Sequence, residues 1–167
     1  MFSAKDIAIW FLIKNNAEVR EHEVTNDDYE VYEGITHLKL QKLLYYAQGV
    51  FLAITGKRLF KEPIEAWQHG PVVAEVYDEY KKFGRNNISI EVDPNVEDVI
   101  RNIESNVEVS NVLNMVYDNF AIYTAWQLRE MSHVKNGPWD KAMSKNKKII
   151  DLNEIKNFFE SEIVTDG

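Results

Sequence analysis

Between Thr36 and Gly56 the chain carries apolar residues around most of the circumference of a helix. Leu40, Leu43, Leu44, Ala47, Phe51 and Ile54 recur at helical spacing, and Leu38, Tyr45, Gly49 and Leu52 supply a second apolar face. Thr36 can cap the free amides at the start, and Gly56 supplies the stop. A helix that is apolar nearly all round has to be surrounded by other elements, so this segment predicts the central helix of the fold. One narrow polar ridge remains on it, His37, Gln41 and Gln48. Its side chains are read as meeting solvent or completing buried hydrogen bonds.

The flanking sequence predicts what wraps that helix. A first helix begins at Ser3, with Asp6 near its positive end, and runs to about Asn15. Residues 16–35 then form an acidic connector within a single domain of residues 1–167. After Pro63, Ile64, Ala66 and Gln68 alternate with Glu65, Trp67 and His69, a short strand-like period. Gly70 frees the backbone to turn, and Pro71 fits the first position of a helix that buries Val73, Val76, Tyr77, Tyr80 and Phe83 before Gly84 ends it. Ile88 to Val92 reads as a second short strand. Asp93-Pro94 opens a helix that breaks near Ser105 to Ser110 and resumes through Val112, Val116, Tyr117 and Phe120. Thr124 and Gln127 make a capping box for a helix ending near His133, Trp139 anchors a short helix after Gly137-Pro138, and Asp151 opens the last one. The fold class is mostly α (α+β): a compact helical domain around a central buried helix, with a small antiparallel β element.

Composition narrows the function classes. The chain has 167 residues, 45% of them hydrophobic, with four Trp, eight Tyr and eight Phe, enough for a core without disulfides or metal staples. It has no cysteine, which removes disulfides, thiolate metal sites and a Cys nucleophile, and suits a reducing cytoplasm. The apolar run Ile7 to Ile13 is too short to span a bilayer, so no membrane partner is expected. The net charge of −8 and the lack of clustered Lys and Arg argue against nucleic acid. Nothing in the sequence speaks to self-association. Acid is concentrated between Glu18 and Glu33, where seven carboxylates accompany the single base Arg20. This stretch reads either as a solvated linker or as a surface that attracts a basic protein partner.

Motifs that perform chemistry are missing. His37, His69 and His133 come from distant segments and share no short ligand spacing, so isolated, hydrogen-bonded histidines are the simpler reading than a metal site. In that reading His69 braces the Gly-Pro corner and His133 a helix C-terminus. There is no Gly-x-Ser-x-Gly elbow, Walker loop or dinucleotide fingerprint. Ser132 and His133 are adjacent and point about 100° apart on a helix. Glu62 and Glu65 form a carboxylate pair of a kind common on surfaces. Trp10, Trp67, Trp126 and Trp139 lie in or beside apolar patterns and are assigned mostly to the core. No catalytic residue, cofactor or metal is expected. The alternative is a hydrolase or metalloenzyme built on His37, His69 or His133.

The series Thr36-His37-Leu38-Lys39-Leu40-Gln41-Lys42-Leu43-Leu44-Tyr45-Tyr46-Ala47-Gln48-Gly49 resembles the signature of the Panacea antitoxin domain, a phage-associated protein family. Leu59-Phe60, Ile64-Glu65-Ala66-Trp67, Gly70-Pro71-Val72, Tyr77, Tyr80, and Leu128 through Ser132-His133 to Pro138-Trp139 continue the likeness over most of the chain. The resemblance implies an antitoxin of a bacterial or prophage toxin–antitoxin system, which binds and neutralises a cognate protein toxin. Some such proteins resemble adaptors that deliver a toxin to a cellular protease, and a phage regulator acting on a host protein is a further alternative. Many antitoxins repress their own promoter, but no helix-turn-helix or basic recognition helix is visible here. Two regions are candidates for partner contact: the acidic connector, through Glu21, Glu23, Asp27, Asp28 and Glu30, and the corner, through Trp67, His69, Pro71 and Val72.

Overall fold

The structure, a computed structural model, describes residues 1–25 and 34–165. The central helix is α2 (His37–Thr55), whose residues from Lys39 to Leu52 are all buried. Thr36 Oγ1 accepts from the Lys39 amide at 3.3 Å, and Gly56 closes the helix at φ 73°, its N–H bonded to the Leu52 carbonyl. Gln41 and Gln48, on the predicted polar ridge, bridge the helix to passing backbone. The Gln41 carboxamide donates to the Val73 carbonyl at 3.3 Å and accepts from the Val73 amide at 2.8 Å. Gln48 does the same for Phe60 and Leu59, at 3.0 and 2.7 Å. Gln48 satisfies two backbone groups that would otherwise be orphaned and Gln41 one, the Val73 amide, since the Val73 carbonyl also accepts from the Val76 and Tyr77 amides.

Helix α1 (Ala4–Thr25) lays Ala4, Ile7, Ala8, Phe11 and Leu12 into the core. Ser3 Oγ accepts from the Asp6 amide at 3.1 Å, as its position predicts. The helix does not stop at Asn15. Residues 16–25 contain no Gly or Pro to end it, and Glu18 is held by the Tyr117 hydroxyl, which donates to it at 2.8 Å. The first half of the predicted connector is therefore helix, with Glu21 exposed on it and Glu23 within its span. Asp27, Asp28 and Glu30 lie outside the described residues. The start of α1 is tied down by the buried Glu62 carboxylate, which accepts from the Ala4 amide at 3.1 and 3.2 Å, a negative charge at the positive end of the helix.

Strands β1 (Glu65–Trp67) and β2 (Gly70–Val72) form an antiparallel hairpin in the register Glu65↔Val72, Ala66↔Pro71 and Trp67↔Gly70. Pro71 is thus a strand residue, not the first residue of a helix; α3 (Ala74–Tyr80) starts later. Ile88 to Val92 is not a strand either. Its alternation is real, but among the described residues it finds only one backbone bond, from the Ile88 amide to Ile35. The outer edge of β1 is met instead by residues 148–150, through Ala66 N–H to Lys148 O at 2.7 Å, Ile150 N–H to Ile64 O at 2.9 Å, and a bridge between Glu65 and Ile149.

The remaining helices complete the packing around α1, α2 and the hairpin. They are α4 (Pro94–Glu104), α5 (Val107–Phe120), α6 (Ala125–Ser132), α7 (Pro138–Ser144) and α8 (Leu152–Phe158), the last ending in a wider π-type turn over Phe159–Ile163. Asp93, Asn106, Thr124 and Asp151 cap them with side-chain oxygens, and Thr124 with Gln127 forms the predicted capping box. Phe159 packs edge-on against Tyr45 and Tyr46, beside Gly49. A Cβ on Gly49 would sit 2.4 Å from the Phe159 ring, so the missing side chain is what lets α8 approach. Of the tryptophans, Trp10 is core and Trp67 and Trp139 are half-buried, but Trp126 is 64% exposed. It lies in the first turn of α6, with the Arg129 guanidinium 4.7 Å from its ring.

Candidate functional site

Beneath the β1–β2 hairpin, α2 and α6 gather four nitrogen-bearing side chains: His37 and Lys42 from α2, Arg129 from α6, and His133 from its C-cap. The hairpin is two residues long between its paired ends, and Gly70 holds it at φ 119°, a conformation other residues rarely adopt. Lys42 lies 2% exposed under that turn, its Nζ donating to the Pro71 carbonyl at 3.3 Å. The His133 ring stacks on Trp139, with centroids 3.7 Å apart, and Trp139 Nε1 donates to the Trp67 carbonyl at 2.7 Å. Trp67 meets Tyr77 edge-on, and Tyr77 meets His37 in turn. One chain of aromatic contacts therefore fixes the hairpin over the cluster.

The electrostatics of this corner are one-sided. Burial pushes the Lys42 ammonium down to about 8, and the Arg129 charge adds to the effect. Burial also lowers His37, with Lys42 contributing. His133 is lowered by burial first and by Arg129 next, against smaller opposing effects of the His69 backbone and Glu130. Among the described residues, His37 Nδ1, Arg129 Nε and His133 Nε2 are buried without a partner of good hydrogen-bond geometry, although the His69 backbone is close enough to the His133 ring to favour its proton. Glu130, which bonds Arg129 Nη1 at 3.0 Å, is the carboxylate of this corner, and its side chain is 58% exposed.

The residues picked from sequence are distributed unevenly around the cluster. Trp67 is half-buried, His69 is exposed at the turn, and Pro71 and Val72 are buried, so that Trp67, Gln68 and His69 form the accessible part of the rim. His37 and His133 both flank Lys42, but among the described residues no group of three His, Asp or Glu side chains is placed to hold a metal ion. Two fixed cations beside the imidazoles would also repel one. Ser132 Oγ donates to the Arg129 carbonyl at 2.8 Å, within its own helix. Glu62 caps α1 and Glu65 pairs with Lys148 at 3.4 Å, so these two carboxylates have separate structural partners. Sequence reasoning missed Lys42 and Arg129. For Lys42 the signal was present: a lysine on the buried side of an otherwise apolar helix.

Among the described residues no helix is long and apolar enough to cross a membrane. No solved structure matches the chain. Antitoxin SocA of Caulobacter vibrioides (strain NA1000 / CB15N) is 32% identical over 113 residues, which are 64% of this chain and 58% of that protein. The chain thus spans less than two thirds of that relative's length. A family profile described as Antitoxin SocA-like, Panacea domain, matches residues 40–140, from the first turn of α2 through the hairpin and α6 to just past Trp139. The chain therefore belongs to the antitoxin SocA-like family and carries its Panacea domain.

Proposed function

We propose that this protein is an antitoxin that binds a cognate protein toxin and neutralises it by occlusion, acting as a binding body and not as an enzyme. The observation that carries this reading is the match of residues 40–140 to an antitoxin domain. The geometry supports it: the most deeply built part of the chain is a rigid packing of α2, the hairpin and α6, and its accessible edge bears aromatic and arginine side chains. Trp, Tyr and Arg are the residue types that most often carry binding energy at protein interfaces. Trp67, His69 and the backbone held by Pro71 and Val72 form one contact region. Glu21, Glu23, Asp27, Asp28 and Glu30 form a second, which draws a basic partner in by charge.

The test is co-expression with the toxin encoded next to this gene. The protein restores growth, and it does so equally in cells lacking housekeeping proteases. Rescue that needs an active protease replaces occlusion with delivery, and no rescue in either background overturns the antitoxin reading. In binding kinetics, neutralising Glu21, Glu23, Asp27, Asp28 and Glu30 together slows association and flattens its salt dependence while leaving dissociation nearly unchanged. An unchanged association rate at low salt removes the acidic segment from the interface.

A further inference from the structure

A protein of net charge −8 has placed an ammonium, a guanidinium and two imidazoles around one hairpin. Among the described residues Lys42 uses one of its three N–H donors, on Pro71, and Arg129 Nε–H has no partner. Buried polar atoms are nearly always hydrogen-bonded, so an orphaned Arg129 Nε–H beside a lysine with spare N–H groups suits a bound acceptor. An anionic acceptor suits the cluster, because its two buried charges, Lys42 and Arg129, are positive and the carboxylate of Glu130 beside them is 58% exposed. Gly70 lets the turn lie directly on this cluster, since a Cβ there would sit 2.9 Å from Lys42 Cε and 3.2 Å from His133 Nε2. A ligand therefore reaches it from the side of Arg129, whose side chain is 26% exposed.

We propose that Lys42, Arg129 and His133, under the Gly70 hairpin, form a receptor for a carboxylate presented by a protein partner. Its identity as a carboxylate of the toxin rests on the antitoxin reading. A planar carboxylate takes up the free N–H groups of Arg129 and Lys42 in charge-assisted bonds. It also draws a proton from solvent onto His133, whose Nε2 then donates as well. His37 and Glu130 face the same corner; the first, lowered by burial and Lys42, stays neutral there and the second partly screens the positive field. Trp139 against His133 and Trp126 against Arg129 add apolar surface beside the cluster suited to the rest of a protein side chain, which a free inorganic anion would leave unused. This anion receptor is separate from the acidic segment and attracts the opposite sign of charge.

The experiment is a titration of the full-length protein with sodium acetate at constant ionic strength. It is followed by tryptophan fluorescence, since Trp139 stacks on His133, and by the His133 ring nitrogen resonances. The expected result is a saturable response in which His133 moves toward its doubly protonated form. Arg129→Gln, a partly exposed position that leaves the core intact, weakens it roughly tenfold. Lys42→Met weakens it as well, with folding checked by circular dichroism. A response that never saturates, or is the same in Arg129→Gln, overturns the receptor. Saturation by inorganic phosphate at lower concentration than acetate overturns the assignment to a carboxylate. Acetate binding needs no toxin, so its failure counts against the pocket alone. A protein that binds acetate but no toxin overturns the functional reading and, with it, the identity of the partner.

Discussion

The backbone of Gly70 sits at φ 119°, and a Cβ added there would lie 2.9 Å from Lys42 Cε and 3.0 Å from its Nζ. Gly70→Val therefore meets two obstacles together, a disfavoured backbone conformation and a crowded floor. It should lower stability by about 2 kcal/mol or more in urea unfolding, whereas an unchanged midpoint would mean the hairpin re-forms without a positive φ. Lys42 carries the other prediction about a single side chain. Its folded value near 8 lies below the unfolded value, so the unfolded chain holds the extra proton between those two values. Stability of the unliganded protein should then rise between pH 8 and pH 10, by as much as roughly 3 kcal/mol, as Lys42 loses its charge in the fold. His37 and His133 are lowered from 6.5 and titrate below this window. The buried Tyr45 and Tyr46, both raised, reverse the slope above pH 10. Unfolding measured across this range in Lys42→Met should lack the rise; a rise that persists assigns it to another group.

Gln41 and Gln48 show how α2 holds the loops that cross it. Replacing Gln48 with Leu keeps the volume but orphans the Leu59 amide and the Phe60 carbonyl, whereas Gln41→Leu orphans the Val73 amide alone, because the Val73 carbonyl also accepts from Val76 and Tyr77. Gln48→Leu should lose about 2 to 4 kcal/mol and Gln41→Leu about 1 to 3, and because the two sites share no partner the double variant should lose nearly the sum. Denaturant titration of all four proteins checks both statements, and marked non-additivity would mean the two loops move as one. These bridges also mark where the sequence was readable. The ridge His37, Gln41, Gln48 could be seen in the chain, as could the caps at Thr36, Asp93, Thr124 and Asp151, because a cap and its amide are close neighbours in sequence. Pro71 was misread because a Gly-Pro pair suits a helix start as well as a strand. Only pairing with Ala66 decides between them. The extension of α1 past Asn15 was hidden because its anchor, Tyr117, is remote. The cluster under the hairpin was partly legible: His37 and His133 stood out as residue types, but only the meeting of α2 with α6 places Lys42 and Arg129 beside them.

The described chain is closed by contacts between segments far apart in sequence. Phe2 bridges to Phe60, Glu62 holds the Ala4 amide, residues 148–150 pair with the edge of β1, and Phe159 fills the notch at Gly49. Cutting the chain after residue 150 removes α8 and uncovers Tyr45, Tyr46 and the Gly49 face of α2. The shortened protein should keep much of its helical signal but bind a hydrophobic dye and lose a cooperative thermal transition. A sharp transition near that of the full chain would show that the core closes without Phe159.

The notch at Gly49 also has a bearing on time. Among the described residues Phe159 is the last fully buried one to leave the ribosome, so α2 is synthesised long before the ring that seals it. Until then the nascent chain offers its most apolar helix to chaperones and proteases. A chain halted upstream of residue 159 should thus lack the ring that seals α2, and its lifetime in cells should be shorter than that of the full chain.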